Sequence, residues 1–71
     1  MSKLKKYREY AGLSQSQLAK RSGVSLAMIQ KYEAGFKDIN KAQALTLFKL
    51  AVALRRDMED LLEVEWYPKK E

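Results

Sequence analysis

The chain has 71 residues, a net charge of +5 and a sequence that is 46% hydrophobic and 32% charged, with no cysteine and no histidine. That length makes one domain with a small core, burying only about 60% of the surface its unfolded chain exposes. The missing residue types exclude disulfide staples, thiolate metal sites, thiol nucleophiles and imidazole acid/base chemistry. The neighbouring carboxylates Asp57, Glu59 and Asp60 look like helix capping and a solvated face. No enzyme, metal site or cofactor is therefore expected.

In chain order, Ser2 to Ala11 is predicted as the first helix, with Leu4, Tyr7, Arg8 and Ala11 on one face and Lys3, Lys6, Glu9 and Tyr10 largely outside. An arginine within a core stripe needs a partner, because an unpaired buried charge is not tolerated. Gly12-Leu13 leads into a second helix, with Leu13 packing in the core before the Ser14 cap. Ser14 and Gln17 have the spacing of a reciprocal capping box, and Leu18, Ala19 and Ser22 share one side. Gly23 is placed to end that helix with positive φ, and Ser25 supplies the next N-cap. The third helix runs through Ile29, Tyr32 and Glu33 to another stop glycine, Gly35. Glu33 falls on its inner face, so Arg8 and Glu33 are inferred to form a bidentate pair. The alternative is two separate surface charges whose stems snorkel.

Phe36-Lys37-Asp38-Ile39 is expected as a loop with Phe36 or Ile39 tucked inward, followed by a capping pair, Asn40 and Gln43. Helix four is predicted from about Lys41 to Leu54, with Ala44, Leu47, Leu50, Ala51 and Leu54 as its core stripe. Asp57 then caps a last short helix to about Glu63 that buries Met58, Leu61 and Leu62. Residues 64–71 form a tail containing Trp66 and Tyr67. Leu45, Phe48 and Val52 make a second apolar stripe on helix four, and together with Trp66 they form a candidate dimer patch; either the tail or another subunit fits as its cover. The longest apolar stretch, Ala44 to Leu54, is broken by Lys49 and is about half the ~20 residues needed to cross a bilayer. Lys3, Lys5 and Lys6 lead into no signal-peptide run, so a cytoplasmic protein without membrane contact is expected.

Residues 1–37 carry eight basic and two acidic side chains, whereas residues 38–71 carry six and seven. The positive field is therefore carried by the half of the chain that contains the two central helices, as a polyanion-binding face requires. A turn as short as the one around Gly23 makes its two helices cross steeply, with Ala19 at the crossing and Ile29 as an anchor. This constellation resembles the Cro/repressor (Xre-type) family of DNA-binding domains, and the likeness covers about residues 3–63. The resemblance implies an all-α fold, a compact five-helix lambda-repressor-like domain whose helix-turn-helix, about residues 14–35, is formed by helices two and three. In that family an Arg and a Glu at the positions of Arg8 and Glu33 do pair.

With the inner positions subtracted, Ala27, Gln30, Lys31 and Ala34 face outward, and Ser25 and Leu26 lead the helix. Docked as in phage repressors, this helix enters the major groove. Lys31 suits guanine O6/N7, Gln30 suits adenine, and Leu26 and Ala27 suit thymine methyl groups, although the family usually carries polar or basic residues at those last two positions. Ser14 and Gln15 on one flank, and Lys37, Asn40 and Lys41 on the other, are the expected phosphate contacts. The expected function is a sequence-specific double-stranded-DNA-binding transcription regulator, a repressor acting by occupancy. A homodimer on paired half-sites fits such a protein, and no small-molecule effector is evident. The alternative is a helix-turn-helix-fold protein-interaction adaptor, or antitoxin-like partner, whose Leu26, Ala27, Met28 and Ala34 meet an apolar protein surface.

Overall fold

The computed structural model of the chain describes residues 2–64. Four α-helices, α1 (Lys3–Tyr10), α2 (Gln15–Ser22), α3 (Leu26–Ala34) and α4 (Ala44–Leu54), are joined by two short 3-10 turns, Ile39–Lys41 and Met58–Leu61. No strand occurs among the described residues. Serine opens each of the first three helices. The hydroxyls of Ser2, Ser14 and Ser25 accept from the N–H groups of Lys5, Gln17 and Met28 at 3.1–3.2 Å. At Ser14 the capping is reciprocal, since its own N–H donates to the Gln17 side chain at 2.8 Å.

The turn between α2 and α3 is three residues, Gly23 to Ser25. Gly23 has φ +77° and donates its N–H to the Ala19 carbonyl, which closes α2 in the left-handed conformation where a Cβ is costly. Ser22 is buried and its hydroxyl accepts from Val24 N–H at 3.1 Å, which draws Val24 into the core. The largest fully enclosed side chains are Leu4, Leu18, Ile29, Leu50 and Leu61, one from each helix and one from the last turn. Each such leucine or isoleucine contributes about 2 kcal/mol by leaving water. α2 packs against both α3 and α4, while α1 and the last turn close the remaining sides.

Several sequence expectations are corrected. α4 starts at Ala44, and its N-cap Gln43 makes no side-chain capping bond. Asn40 and Lys41 belong instead to the preceding 3-10 turn, because the Asp38 carboxylate accepts from Asn40 N–H at 2.9 Å and tightens the chain there. Ile39 is the buried residue of that loop, whereas Phe36 is 84% exposed. Leu47, Leu50, Ala51 and Leu54 are buried as the stripe requires; Ala44, the first residue of α4, is exposed, and Ala53 joins the buried side. Ala11 caps α1 in an exposed position. The expected fifth α-helix is the four-residue 3-10 turn Met58–Leu61, which seats Leu61 while leaving Met58 and Leu62 half-buried. Trp66 and Tyr67 lie outside the described residues.

What fixes α3 against the rest is polar. Arg8 Nε and Nη2 donate to Glu33 Oε2 and Oε1 at 2.7 and 3.0 Å, and Nη1 donates to the Leu13 carbonyl at 2.8 Å. Gln15 Nε2 donates to Glu33 Oε1 at 3.0 Å. The Arg8 and Glu33 side chains are only 11% and 4% exposed. Glu33 raises the Arg8 pKa above its ordinary value through this hydrogen bond, against the lowering caused by burial, so the guanidinium stays charged at any pH the fold meets.

Glu33→Ala leaves that cation enclosed without its carboxylate and is expected to cost about 3 kcal/mol or more in urea unfolding. Gly23→Ala meets nothing within 4 Å, so only its backbone conformation is penalised. It is expected to cost about 1 kcal/mol, a fall in melting temperature of some 4–8 °C by circular dichroism, with the helical signal intact.

Candidate nucleic-acid interface

α3 has two unlike sides. Ile29 and Tyr32 are buried and Glu33 is held by Arg8, while Leu26, Ala27, Gln30, Lys31 and Ala34 all stand exposed. Nine residues make a rod about 13 Å long, and an α-helix about 10–12 Å across is an element that a major groove about 12 Å wide admits. Ser25, also exposed, caps this rod, so its hydroxyl is already an acceptor for Met28 N–H.

Each flank of the rod opens onto a shallow depression. One, of about 400 Å³, is lined by Lys5, Arg8, Gln15, Gln30, Glu33 and Ala34. It brings the start of α2 beside the exposed face of α3. Ser14 occupies its own cap there, and the N–H groups of Gln15 and Ser16 have no intrahelical acceptor, as in the first turn of any helix. Gln15 spends one amide hydrogen on Glu33 and keeps the other. Lys5 is the residue that reading the sequence missed on this flank. Its signal was present, since it stands three positions before Arg8 and shares that side of α1.

The second depression, of about 380 Å³, is lined by Tyr32, Phe36, Lys37, Asp38, Lys41 and Ala42. It gathers Lys37 and Lys41 just beyond the C-terminal end of α3, with Asp38 between them. Asn40 differs from expectation. Its side-chain oxygen accepts from Glu63 N–H at 2.7 Å, tying the loop to the end of the described chain rather than opening a helix. Gly35, with φ +85°, turns the chain so that Phe36 and Lys37 both return their N–H groups to the Lys31 carbonyl. Phe36 is consequently held clear of the core beside this flank.

The Leu45, Phe48 and Val52 stripe is 54–60% exposed along α4. Among the described residues no group of side chains is arranged to hold a metal ion, and no helix is long and apolar enough to cross a membrane.

The geometry is that of two short helices at a glycine corner, the second exposing one face between two groups of cations. The family model described as helix-turn-helix matches residues 4–61, most of the chain. No curated protein matches the sequence significantly, and no solved structure does. By the extent of that match the chain belongs to the helix-turn-helix family of Xre/Cro type.

Proposed function

We propose that the protein is a sequence-specific double-stranded-DNA-binding transcription regulator, with α2 and α3 as its helix-turn-helix and α3 as the groove-reading helix. The observation that carries this is the exposed face of α3 set between two flanks rich in donors, Lys5 and Gln15 on one side and Lys37 and Lys41 on the other. In this reading Gln30 and Lys31 reach base edges, Leu26 and Ala27 meet thymine methyl groups, and Ser25 approaches the backbone at the leading end. The free N–H groups at the start of α2, beside Ser14, hold one phosphate. Lys37 and Lys41, with the Asn40 amide nitrogen, hold those across the groove.

A domain of this kind seated on its site can act by occupancy, blocking polymerase, and repression is the mode proposed. A two-fold homodimer through Leu45, Phe48 and Val52 would set two α3 helices on half-sites one helical turn apart. A second reading, a protein-interaction adaptor of antitoxin-like kind, is favoured by one observation. Leu26 and the 84% exposed Phe36 give the same surface an apolar component.

Anisotropy on mixed-sequence duplex across a salt series separates the two. Neutralising about six phosphates makes affinity fall roughly as the fifth power of salt concentration; affinity that ignores salt, or no binding at low salt, supports the adaptor. Lys31→Ala is expected to cost about 1–3 kcal/mol at one base position in a selection from random duplexes, and equal loss on every sequence contradicts the groove assignment. Lys41→Ala is expected to weaken all sequences alike and to lower the salt slope by about one.

A further inference from the structure

The C-terminal ends of α1, α2 and α4 enclose a second basic region that the DNA reading leaves unused. It is an open cleft of about 380 Å³ walled by Tyr7, Tyr10, Arg21, Leu54, Arg55 and Arg56. α3 supplies none of its walls, and on α1 Tyr7 and Tyr10 are rotated about 100° and 200° from Arg8, the residue that reaches α3.

The side chains here are organised. The Arg56 guanidinium lies 4.5 Å from the centre of the Tyr7 ring. Tyr10 meets Tyr7 edge-on at 6.0 Å, and Lys6 Nζ sits 5.4 and 5.9 Å from the two ring centres. A guanidinium laid on a ring is fixed in orientation and keeps its N–H edges for an oxyanion. Among the described residues none of Lys6, Arg21, Arg55 and Arg56 forms an ion pair, even with Glu9 on the same helix as Lys6 or with Asp57 next to Arg56. Arg55 is moreover the one non-glycine residue among them with positive φ, +57°. Glycine is the residue that adopts this conformation without strain, so a strained arginine points to a use for its side chain. Complementing the dipole of α4 accounts for cations at Arg55 and Arg56. It does not account for Arg21, from α2, lining the same cleft, or for Lys6 standing over both tyrosines.

We propose that this cleft binds a nucleotide, its phosphates held by Arg21, Arg55 and Arg56 and its base stacked on Tyr10. The 69% exposure of Tyr10 is what favours a nucleotide over a simple anion or an acidic peptide, because a flat aromatic face beside guanidinium groups matches a planar base joined to phosphate. The size of the cleft lies within the range of sites for single small ligands. This site is independent of the DNA reading and stands if that reading fails.

The test is calorimetric titration of the full chain with ATP, with tripolyphosphate, adenosine and a hexaglutamate peptide as comparators. ATP is expected to bind at least fivefold more tightly than tripolyphosphate, and far more tightly than adenosine or hexaglutamate. Arg55→Gly is the informative variant, since it relieves backbone strain while removing the cation. It is expected to raise the melting temperature and to weaken ATP binding at least tenfold. Tyr10→Ala should weaken ATP but leave tripolyphosphate unchanged, and Lys31→Ala, on α3, should leave ATP binding unchanged. Absence of ATP binding at low salt, equal binding of ATP, tripolyphosphate and hexaglutamate, an Arg55→Gly variant that binds ATP as well as the parent, or loss of ATP binding in Lys31→Ala would each overturn the proposal.

Discussion

The pairing of Arg8 with Glu33 is the constraint from which the rest of the arrangement follows. Three segments converge on it: α1 through Arg8, the linker through the Leu13 carbonyl, and α2 through Gln15, all meeting one carboxylate of α3 or its partner. A core built on five enclosed aliphatic side chains is non-directional and tolerates small rotations of a helix about its axis. Hydrogen bonds at 2.7–3.0 Å do not. The apolar core thus holds the helices together, while the polar cluster sets how α3 is turned, and so which of its residues face outward. The cost is dependence on both partners, since either charge left alone in that place destabilises a small domain strongly.

Much of this was legible in the sequence because the first three helices announce their own ends. Ser14 with Gln17, Gly23, Ser25 and Gly35 are local signals, each determined by residues within one turn, and the structure has a cap or a left-handed stop at every one. Legibility fell after Gly35, where competing local signals stand close together. Asp38 took the Asn40 N–H before Asn40 could cap anything, and Asn40 turned its side chain to a partner 23 residues away. The last segment failed for a different reason. Four residues suffice to deliver Leu61 to the core, so nothing demanded a further turn of α-helix.

The Arg8–Glu33 pair was inferred because both charges fall on inner faces, but the other non-local polar contacts were the least readable. Gln15 reads as an exposed N-terminal residue, and only the approach of α3 gives its amide a carboxylate. The cleft beneath Tyr10 is likewise assembled from three helix ends distant in sequence, and the left-handed backbone at Arg55 carries no glycine to mark it. Distribution of charge between the two halves of the chain pointed to the α3 side but gave no sign of Arg55 and Arg56 joining Arg21 elsewhere.

The separation of α3 into a held side and a bare side has an evolutionary consequence. Leu26, Ala27, Gln30, Lys31 and Ala34 carry no part of the core, so replacing them with residues other than glycine and proline typically shifts stability by only about 0.5 kcal/mol. Ser25 is the exception because it caps the helix. Five neighbouring positions can therefore drift, singly or together, with the scaffold indifferent to the outcome. Descendants of such a domain are free to change what they recognise without first relearning how to fold.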